Sequence, residues 1–366
     1  MPAVLHPARF EDIAGWAADD HRAALSAFRA SALHLQISEK PYRTGTLGID
    51  AADFRPAIAS LDHLSDDVDE PRRFFEQHFV PCRIGDENSG FLTGYYEPEV
   101  EVSRTPDAQY RFPFLRRPSE LRQLEAGEAP DLQSAGITWA KQGPEGLNEF
   151  ADRGSIERGA LAGRNLEIAW ARSRVDVFFT HIQGSARLIE PDGSVTRITF
   201  DGKSGHPFTA IGRVLIDLGE IEARSVTMDT IRQCLAENPE RLDEILWQNR
   251  SFIFFREDPE IDPMRGPIGA AKVPLTAGRS IAVDRETHTF GTPFFIEARS
   301  LAHVNGPKPF CRLMIGQDTG SAIIGPARAD IFTGSGASAG GEAGSIKHSA
   351  TFHVLVPRPA VARLGL

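Results

Sequence analysis

The sequence predicts a mainly β fold with flanking helices, divided between two domains. Three observations lead there. Among 366 residues, 33 are glycine and 25 are proline, a turn-rich usage that suits many short strands better than a helix bundle. Short apolar runs bounded by turn residues dominate the last hundred residues, as in "RSIAVD", "TPFFIEA", "RLMIGQD" and "TFHVLVP". The length is enough for a large core and for more than one domain.

In chain order, "DDHRAALSAFRASALHL" predicts a helix capped by Asp19 or Asp20, with Ala23, Leu25, Phe28, Ala32 and Leu33 near one face. "DEPRRFFEQHFV" predicts a second helix with Pro71 in its first turn. "GFLTGYYEPEVEVSRT" reads as strand, with Val100 and Val102 alternating with Glu99, Glu101 and Ser103. From about 104 to 205 the texture changes. Pro106, Pro113, Pro118, Pro130 and Pro144 dot a polar stretch, a short helical pattern follows in "IERGALAGRNLEIAWA", and Asp192-Gly193 between two apolar runs marks a hairpin. This segment, 104–205, is expected to be an inserted smaller β domain, with 1–103 and 206–366 forming the main body. Helices return in "PFTAIGRVLIDLGEI" and in "MDTIRQCLAENPERLDEILWQNRSFIFF", where Asn238-Pro239 splits two short helices before a strand at Phe252–Phe255.

A net charge of −10 argues against a general electrostatic grip on nucleic acid. No window reaches the length of a transmembrane helix. "MPAVLHPARF" lacks the apolar centre of a signal peptide, so the expectation is either a cytoplasmic address or a targeting segment outside this sequence. Cys82, Cys234 and Cys311 are scattered without metal or disulfide spacing and are expected to be small buried apolar groups. His181, His206, His288, His348 and His353 form no HExxH-type pattern and are expected to be structural. Neither a metal nor a cofactor is expected.

Chemistry points first to "QDTGSAIIGPARADIFTGSGASAGGEAG", Gln317–Gly344. A phosphate loop would need a Lys followed by Ser or Thr; here Glu342 stands among the glycines and Lys347 comes late. A dinucleotide site would need a crossover helix after Gly344, where "SIKHSATFHVLV" reads as strand. The glycines are expected to let backbones cross closely. Asp284, Asp318 and Asp330 each follow a short apolar run. A poorly solvated carboxyl at such a place can act as a general acid; the plainer reading has these aspartates capping turns or pairing with Arg279, Arg312 or Arg328. Tyr95 and Tyr96 in "TGYYEPE" and Gln183 in "IQGSARL" combine sugar-stacking aromatics, an amide and glycines that permit close approach.

"TGYYEPE", "FFTHIQGSARL", "DGKSGHPFTAIGRVLID", "NRSFIFFRE", "VPLTAGRSIAVDRETHTFGTP", "QDTGSAIIGPARADIFTGSG" and "AGSIKH" occur in the order in which the membrane-bound lytic murein transglycosylase A family carries them, and the chain resembles that family from about residue 90 to its end. The resemblance implies a double-psi β-barrel domain carrying three aspartates, a second small β domain, and a groove for a peptidoglycan glycan strand between them. It implies a cell-envelope address, periplasmic or anchored at the outer membrane. It makes Asp330 the acid/base, Asp318 and Asp284 the supporting aspartates, and Tyr96, Gln183, Ser185 and Lys203 groove residues, with Tyr95 beside them kept as a substrate-binding candidate from the residue pattern. The sequence departs from the family pattern at Ser321, where a Gly is expected, at Ile324, where a Lys is expected, at Thr333, where an aromatic is common, and at Ala186, where Gly is common.

The reaction so implied needs one carboxyl. Asp330 would protonate the β-1,4 oxygen between N-acetylmuramic acid and N-acetylglucosamine, then take the proton of the muramic C6 hydroxyl as that oxygen closes on C1, giving a 1,6-anhydro end. The alternatives are a two-carboxylate glycan hydrolase of the same fold and a wall-binding module without turnover.

Overall fold

The computed structural model describes residues 4–38, 40–258, 262, 265–302, 304 and 308–366. The chain divides into two units, Met1–Tyr96 with Met264–Leu366, and Glu97–Pro263. The expected insert, 104–205, lies inside the second unit, and 97–103 and 206–263 go with it. Strand pairing gives the reason. Glu99–Ser103 pairs with Ser185–Ile189 and Glu167–Ala171, and Ile253–Asp258 pairs with Val195–Lys203. The helices after residue 206 bury Ile211, Leu215, Leu235, Ile245 and Leu246 against Phe178 and Phe179 of the same unit.

In the first unit, six strands close on themselves. Lys347–Pro357, Pro293–Ala298, Phe310–Asp318, Ser280–Val283, Arg328–Ser335 and Gly90–Glu97 are neighbours in that order, and Gly90–Glu97 returns to Lys347–Pro357 with Thr93 opposite Lys347. Phe79–Ile84 and Leu5–Pro7 extend the sheet from Lys347–Pro357. This is the double-psi β-barrel that the resemblance implies. Ser280–Val283 is buried along its whole length, as a short run of small and apolar residues requires. It runs parallel to Phe310–Asp318 and antiparallel to Arg328–Ser335.

The helix His21–Ile37 begins at Asp20, whose side chain accepts from the Ala23 N–H at 3.1 Å. It buries Ala24, Leu25, Ala27, Phe28 and Ala32, and Phe28 joins Phe54, Phe74, Phe75 and Phe79 in the core. Leu33, expected on this face, is exposed, because position 33 falls on the side of the helix opposite the stripe through Ala24, Phe28 and Ser31. Two buried polar joints tie the N-terminal segment to the barrel. Gln317 Nε2 donates to Ala27 O and Ser31 Oγ (2.8 and 2.9 Å) and its Oε1 accepts from Ser280 Oγ (2.5 Å). Arg279 forks onto both oxygens of Asp19 (2.8 and 2.9 Å).

The glycine-rich stretch forms a helix, Gly336–Ser345, which its composition does not predict, since a helical glycine costs about 1 kcal/mol relative to alanine. Packing overrides propensity. A Cβ on Gly340 would lie 2.8 Å from the Tyr96 ring, and one on Gly94 2.8 Å from the Ala343 Cα. The helix therefore lies directly against the strand Gly90–Glu97.

In the second unit, Ile253–Asp258, Val195–Lys203, Ser185–Ile189, Glu99–Ser103, Glu167–Ala171 and Phe112–Leu115 form a six-stranded sheet. A bridge from Arg116 to Phe255 brings its two edges together. The predicted hairpin is present, with Ile189 opposite Val195 and Gly193 at φ 84°. "RVDVFFTHIQ" forms the helix Arg174–Gln183. Glu97 is fully buried and accepts from Arg197 (2.6 and 3.2 Å) and Arg187 (3.0 Å).

Neighbouring glycines of one helix give opposite predictions. Nothing lies within 4 Å of a Cβ on Gly341, so Gly341→Ala should stabilise by about 0.5–1 kcal/mol. Gly340→Ala drives a methyl into a buried ring and should destabilise by about 1–3 kcal/mol. Urea midpoints of the two variants, compared with the parent, check both signs; two shifts in the same direction contradict this packing.

Burial lowers the imidazoles of His288 and His353 from their ordinary 6.5 to about 4. Their folded-state pKa values are depressed, so the unfolded chain takes up these protons first as pH falls. The stability they contribute is present above about pH 6.5 and is lost toward pH 4. Each ring should cost up to about 2 kcal/mol between pH 7.5 and pH 5. Denaturation at those two pH values checks it, with the lower midpoint expected at pH 5.

Candidate active site

Register brings the aspartates together. Ala282, in the middle of Ser280–Val283, faces Asp318 on one neighbouring strand and Asp330 on the other. Residues paired directly across a sheet point to the same side. Asp318 and Asp330 therefore share a face with a methyl group between them. Asp284 follows the same strand immediately.

Period two sorts the strand Gly90–Glu97. Phe91, Thr93 and Tyr95 share one face, while Gly94 and Tyr96 share the other. The first face meets the aspartates. Thr93 Oγ1 donates to Asp330 Oδ1, and the Tyr95 hydroxyl donates to Asp318 Oδ2 at 2.9 Å. The second face meets the glycine-rich helix, and Tyr96 is buried over Gly340. Of the two tyrosines expected at the site, Tyr95 touches an aspartate and Tyr96 packs in the body of its unit.

The three carboxylates are held differently. Asp284 Oδ1 accepts from the Glu286 N–H (2.9 Å), and its Oδ2 accepts from the Gly325 N–H (2.8 Å) and Thr287 Oγ1 (3.0 Å). Burial works against its charge, but these donors outweigh burial and hold the carboxyl below its ordinary range. Gly325 lies in the turn between Asp318 and Asp330, and His288 Nε2 bonds Pro326 O of the same turn at 2.8 Å. Asp284 thus holds the turn that joins the strands of the other two.

Asp318 Oδ1 accepts from the N–H groups of Ala270 and Thr319, both at 2.9 Å, while Tyr95 occupies Oδ2. Burial pushes the Asp318 carboxyl up despite these donors, and the nearby Asp330 adds to the effect. Burial likewise holds the Tyr95 phenol well above its ordinary value, with Asp318 next in importance.

Asp330 is partly exposed, its side chain at 18%. Arg328 Nη1 reaches its Oδ1 at 2.5 Å and Nη2 reaches Thr93 Oγ1 at 2.8 Å. Both contacts on the carboxylate fall on Oδ1. Among the described residues no donor occupies Oδ2. Of the cations weighed from sequence, Arg328 pairs with an aspartate of the set, whereas Arg279 is engaged with Asp19.

Gln183, Ser185 and Lys203 belong to the second unit. Gln183 ends the helix Arg174–Gln183, and Gly184, at φ 82°, turns the chain into a strand that begins at the buried Ser185. Lys203 ends the strand Val195–Lys203, opposite Ile253, and burial lowers its ammonium pKa. Thr93 and Arg328 are site residues that the sequence reading did not single out for chemistry. Both could have been found: Arg328 is two residues from Asp330, and Thr93 is two from Tyr95, so each shares its neighbour's face. Among the described residues no group of three His, Cys, Asp or Glu could hold a metal ion.

Comparison with known proteins bears on the fold and the family. The MltA specific insert domain family matches residues 91–256, and the 3D domain family matches residues 279–356. The membrane-bound lytic murein transglycosylase A of Escherichia coli K12 is 31% identical over 278 residues, 75% of this chain and 67% of that protein. A crystal structure of a membrane-bound lytic murein transglycosylase from Agrobacterium tumefaciens is 49% identical with a TM-score of 0.92, covering 98% of this chain and 99% of that one. A structure of E. coli MltA with bound chitohexaose is 25% identical with a TM-score of 0.67, covering 98% of this chain and 92% of that one. The closed three-aspartate barrel and these matches have one reading: the chain belongs to the membrane-bound lytic murein transglycosylase A family.

Proposed function

We propose that Asp330 is the single acid/base of a peptidoglycan lytic transglycosylase, and that it cleaves the β-1,4 bond between N-acetylmuramic acid and N-acetylglucosamine. One observation supports the choice among three aspartates. Asp284 and Asp318 have both oxygens taken by protein donors, whereas both donors to Asp330 sit on Oδ1. A group that trades a proton with substrate needs a free oxygen within hydrogen-bond reach. Asp330 Oδ2 is that oxygen.

Protonated at Oδ2, Asp330 gives its proton to the glycosidic oxygen and the N-acetylglucosamine leaves. The resulting carboxylate accepts the proton of the muramic C6 hydroxyl, whose oxygen bonds to C1. Atoms balance without water, and the product ends in 1,6-anhydromuramic acid. The nucleophile is already part of the substrate, so a large effective concentration replaces an activated water. Asp318 and Tyr95 form a half-buried, hydrogen-bonded wall beside Asp330, and Asp284 holds the turn. Glycan is the ligand class, consistent with the oligosaccharide held by the E. coli relative; Gln183, Ser185 and Lys203 are offered as glycan contacts of the second unit. The relatives' membrane-bound names support a place in the cell envelope. Among the described residues no helix is long and apolar enough to cross a membrane.

Asp330→Asn should keep the fold and glycan binding and lose about 10²–10⁴-fold in kcat. Digestion of purified sacculi, followed by mass spectrometry of the soluble muropeptides, measures it. A variant with near-parent turnover rejects Asp330 and returns attention to Asp318.

The product test is independent of the mutant. Parent enzyme in ¹⁸O-water should give anhydro ends about 18 Da lighter than unlabelled hydrolysed ends, with no label at the muramic C1, as intramolecular ring closure requires. Label at C1 would show that water was the nucleophile, and a two-carboxylate hydrolase would then be the better account.

A further inference from the structure

Arg328 is held on four sides within its own unit. Nη1 donates to Asp330 Oδ1 at 2.5 Å and to the Ala329 carbonyl at 2.6 Å. Nη2 donates to Thr93 Oγ1 at 2.8 Å. Its guanidinium carbon lies 5.4 Å from the centroid of the Phe91 ring. Arg328 and Asp330 are two apart on one strand, and Phe91 and Thr93 are two apart on the next, so four side chains converge on one face. The Arg328 side chain is 17% exposed. A surface ion pair between two freely rotating side chains contributes little; here both ends are fixed.

The bonds form a triangle. Thr93 Oγ1 donates to Asp330 Oδ1 and accepts from Arg328, while Arg328 also donates to Asp330 Oδ1. Two donors on one oxygen fix the carboxyl plane and turn Oδ2 away from the clasp. We propose that Arg328 is a positioning residue for the lytic reaction: with Thr93 it immobilises Asp330 through Oδ1, so that Oδ2 alone meets the glycosidic oxygen and then the C6 hydroxyl. This rests on Asp330 being the proton carrier. The guanidinium fork is essential to the geometry, because it spans a carboxylate oxygen, a hydroxyl and a carbonyl at once. A lysine has one nitrogen and cannot reproduce that span.

The test compares Arg328→Ala, Arg328→Lys, Asp330→Asn and the double variant Arg328→Ala/Asp330→Asn on a soluble glycan strand, with kcat and KM measured separately and thermal melts as a fold control. Loss of orientation at the reacting group should lower kcat of Arg328→Ala about 10–100-fold with KM within about 2-fold, since small misplacements of catalytic groups act on turnover. Arg328→Lys should recover only part of the loss. Added guanidinium ion should partly restore kcat of Arg328→Ala at concentrations that leave its melt unchanged, and should do nothing for Asp330→Asn. The double variant should be no slower than Asp330→Asn, because Arg328 acts through that carboxyl. Near-parent kcat in Arg328→Ala beside an inactive Asp330→Asn overturns the positioning role and leaves Asp330 standing. Near-parent kcat in Asp330→Asn overturns the Asp330 reading itself. A raised KM with unchanged kcat, or a double variant much slower than Asp330→Asn, makes Arg328 a substrate contact and also overturns the proposal.

Discussion

Ala282 is paired on both sides at once, and the site depends on that arrangement. Its strand has only four residues, Ser280–Val283, yet it forms a parallel ladder with Phe310–Asp318 and an antiparallel one with Arg328–Ser335. The shift in register between Ile281 and Ala282 sets Asp318 rather than its neighbour opposite Ala282. A slip of one residue would turn either aspartate to the other face. A larger side chain at 282 would stand between the two carboxylates. The barrel is therefore more than a support: its closure fixes which residues are opposed, and the opposition fixes the charge pattern.

Two carboxylates on one half-buried face create a cost that the surrounding donors offset. Asp318 is surrounded by the Tyr95 hydroxyl and two backbone N–H groups. Asp284 draws the turn at Gly325 inward through its N–H, and His288 holds Pro326 from the same side of the sequence. Charge on Asp330 is balanced by Arg328. Each carboxyl thus has its own compensation. An acid whose oxygens are both committed is a structural tie; one with a free oxygen can exchange a proton.

Much of this is legible in the sequence, and what is not has a physical cause. The strands before Asp284 and up to Asp318 stand out because mostly buried strands read as apolar runs terminated by polar turns. The hairpin at Asp192-Gly193 follows from turn chemistry that acts locally. The helix Gly336–Ser345 is illegible for the opposite reason. Its glycines are poor helix formers, and what selects them is a ring and a backbone from Tyr96 and Gly94, far away in the sequence. The limits of the second unit are hidden likewise, since Glu99–Ser103 and Ile253–Asp258 join it by pairing with strands distant in the chain. The division of labour between Tyr95 and Tyr96 was within reach: in any strand, adjacent residues face opposite ways.

The departures from the family pattern fit the same geometry. Thr333, in place of an aromatic, donates to Tyr95 O at 3.1 Å and to Ala339 O at 2.9 Å, so it joins the Tyr95 strand to the glycine-rich helix. Ala186 is fully buried in the sheet of the second unit, where a methyl group fills space that glycine would leave. Ile324, in place of a lysine, is 77% exposed. A side chain so placed contributes little to the fold, and a lysine there would have been a mobile charge on a turn. Arg328 lies four residues further on, within a strand, with its charge directed by a carboxylate, a hydroxyl and a ring. A cation in the turn can move with the turn. A cation in the barrel wall is fixed relative to Asp330 by the strand Arg328–Ser335 that carries both, so in this chain the charge that accompanies Asp330 belongs to the paired part of the unit.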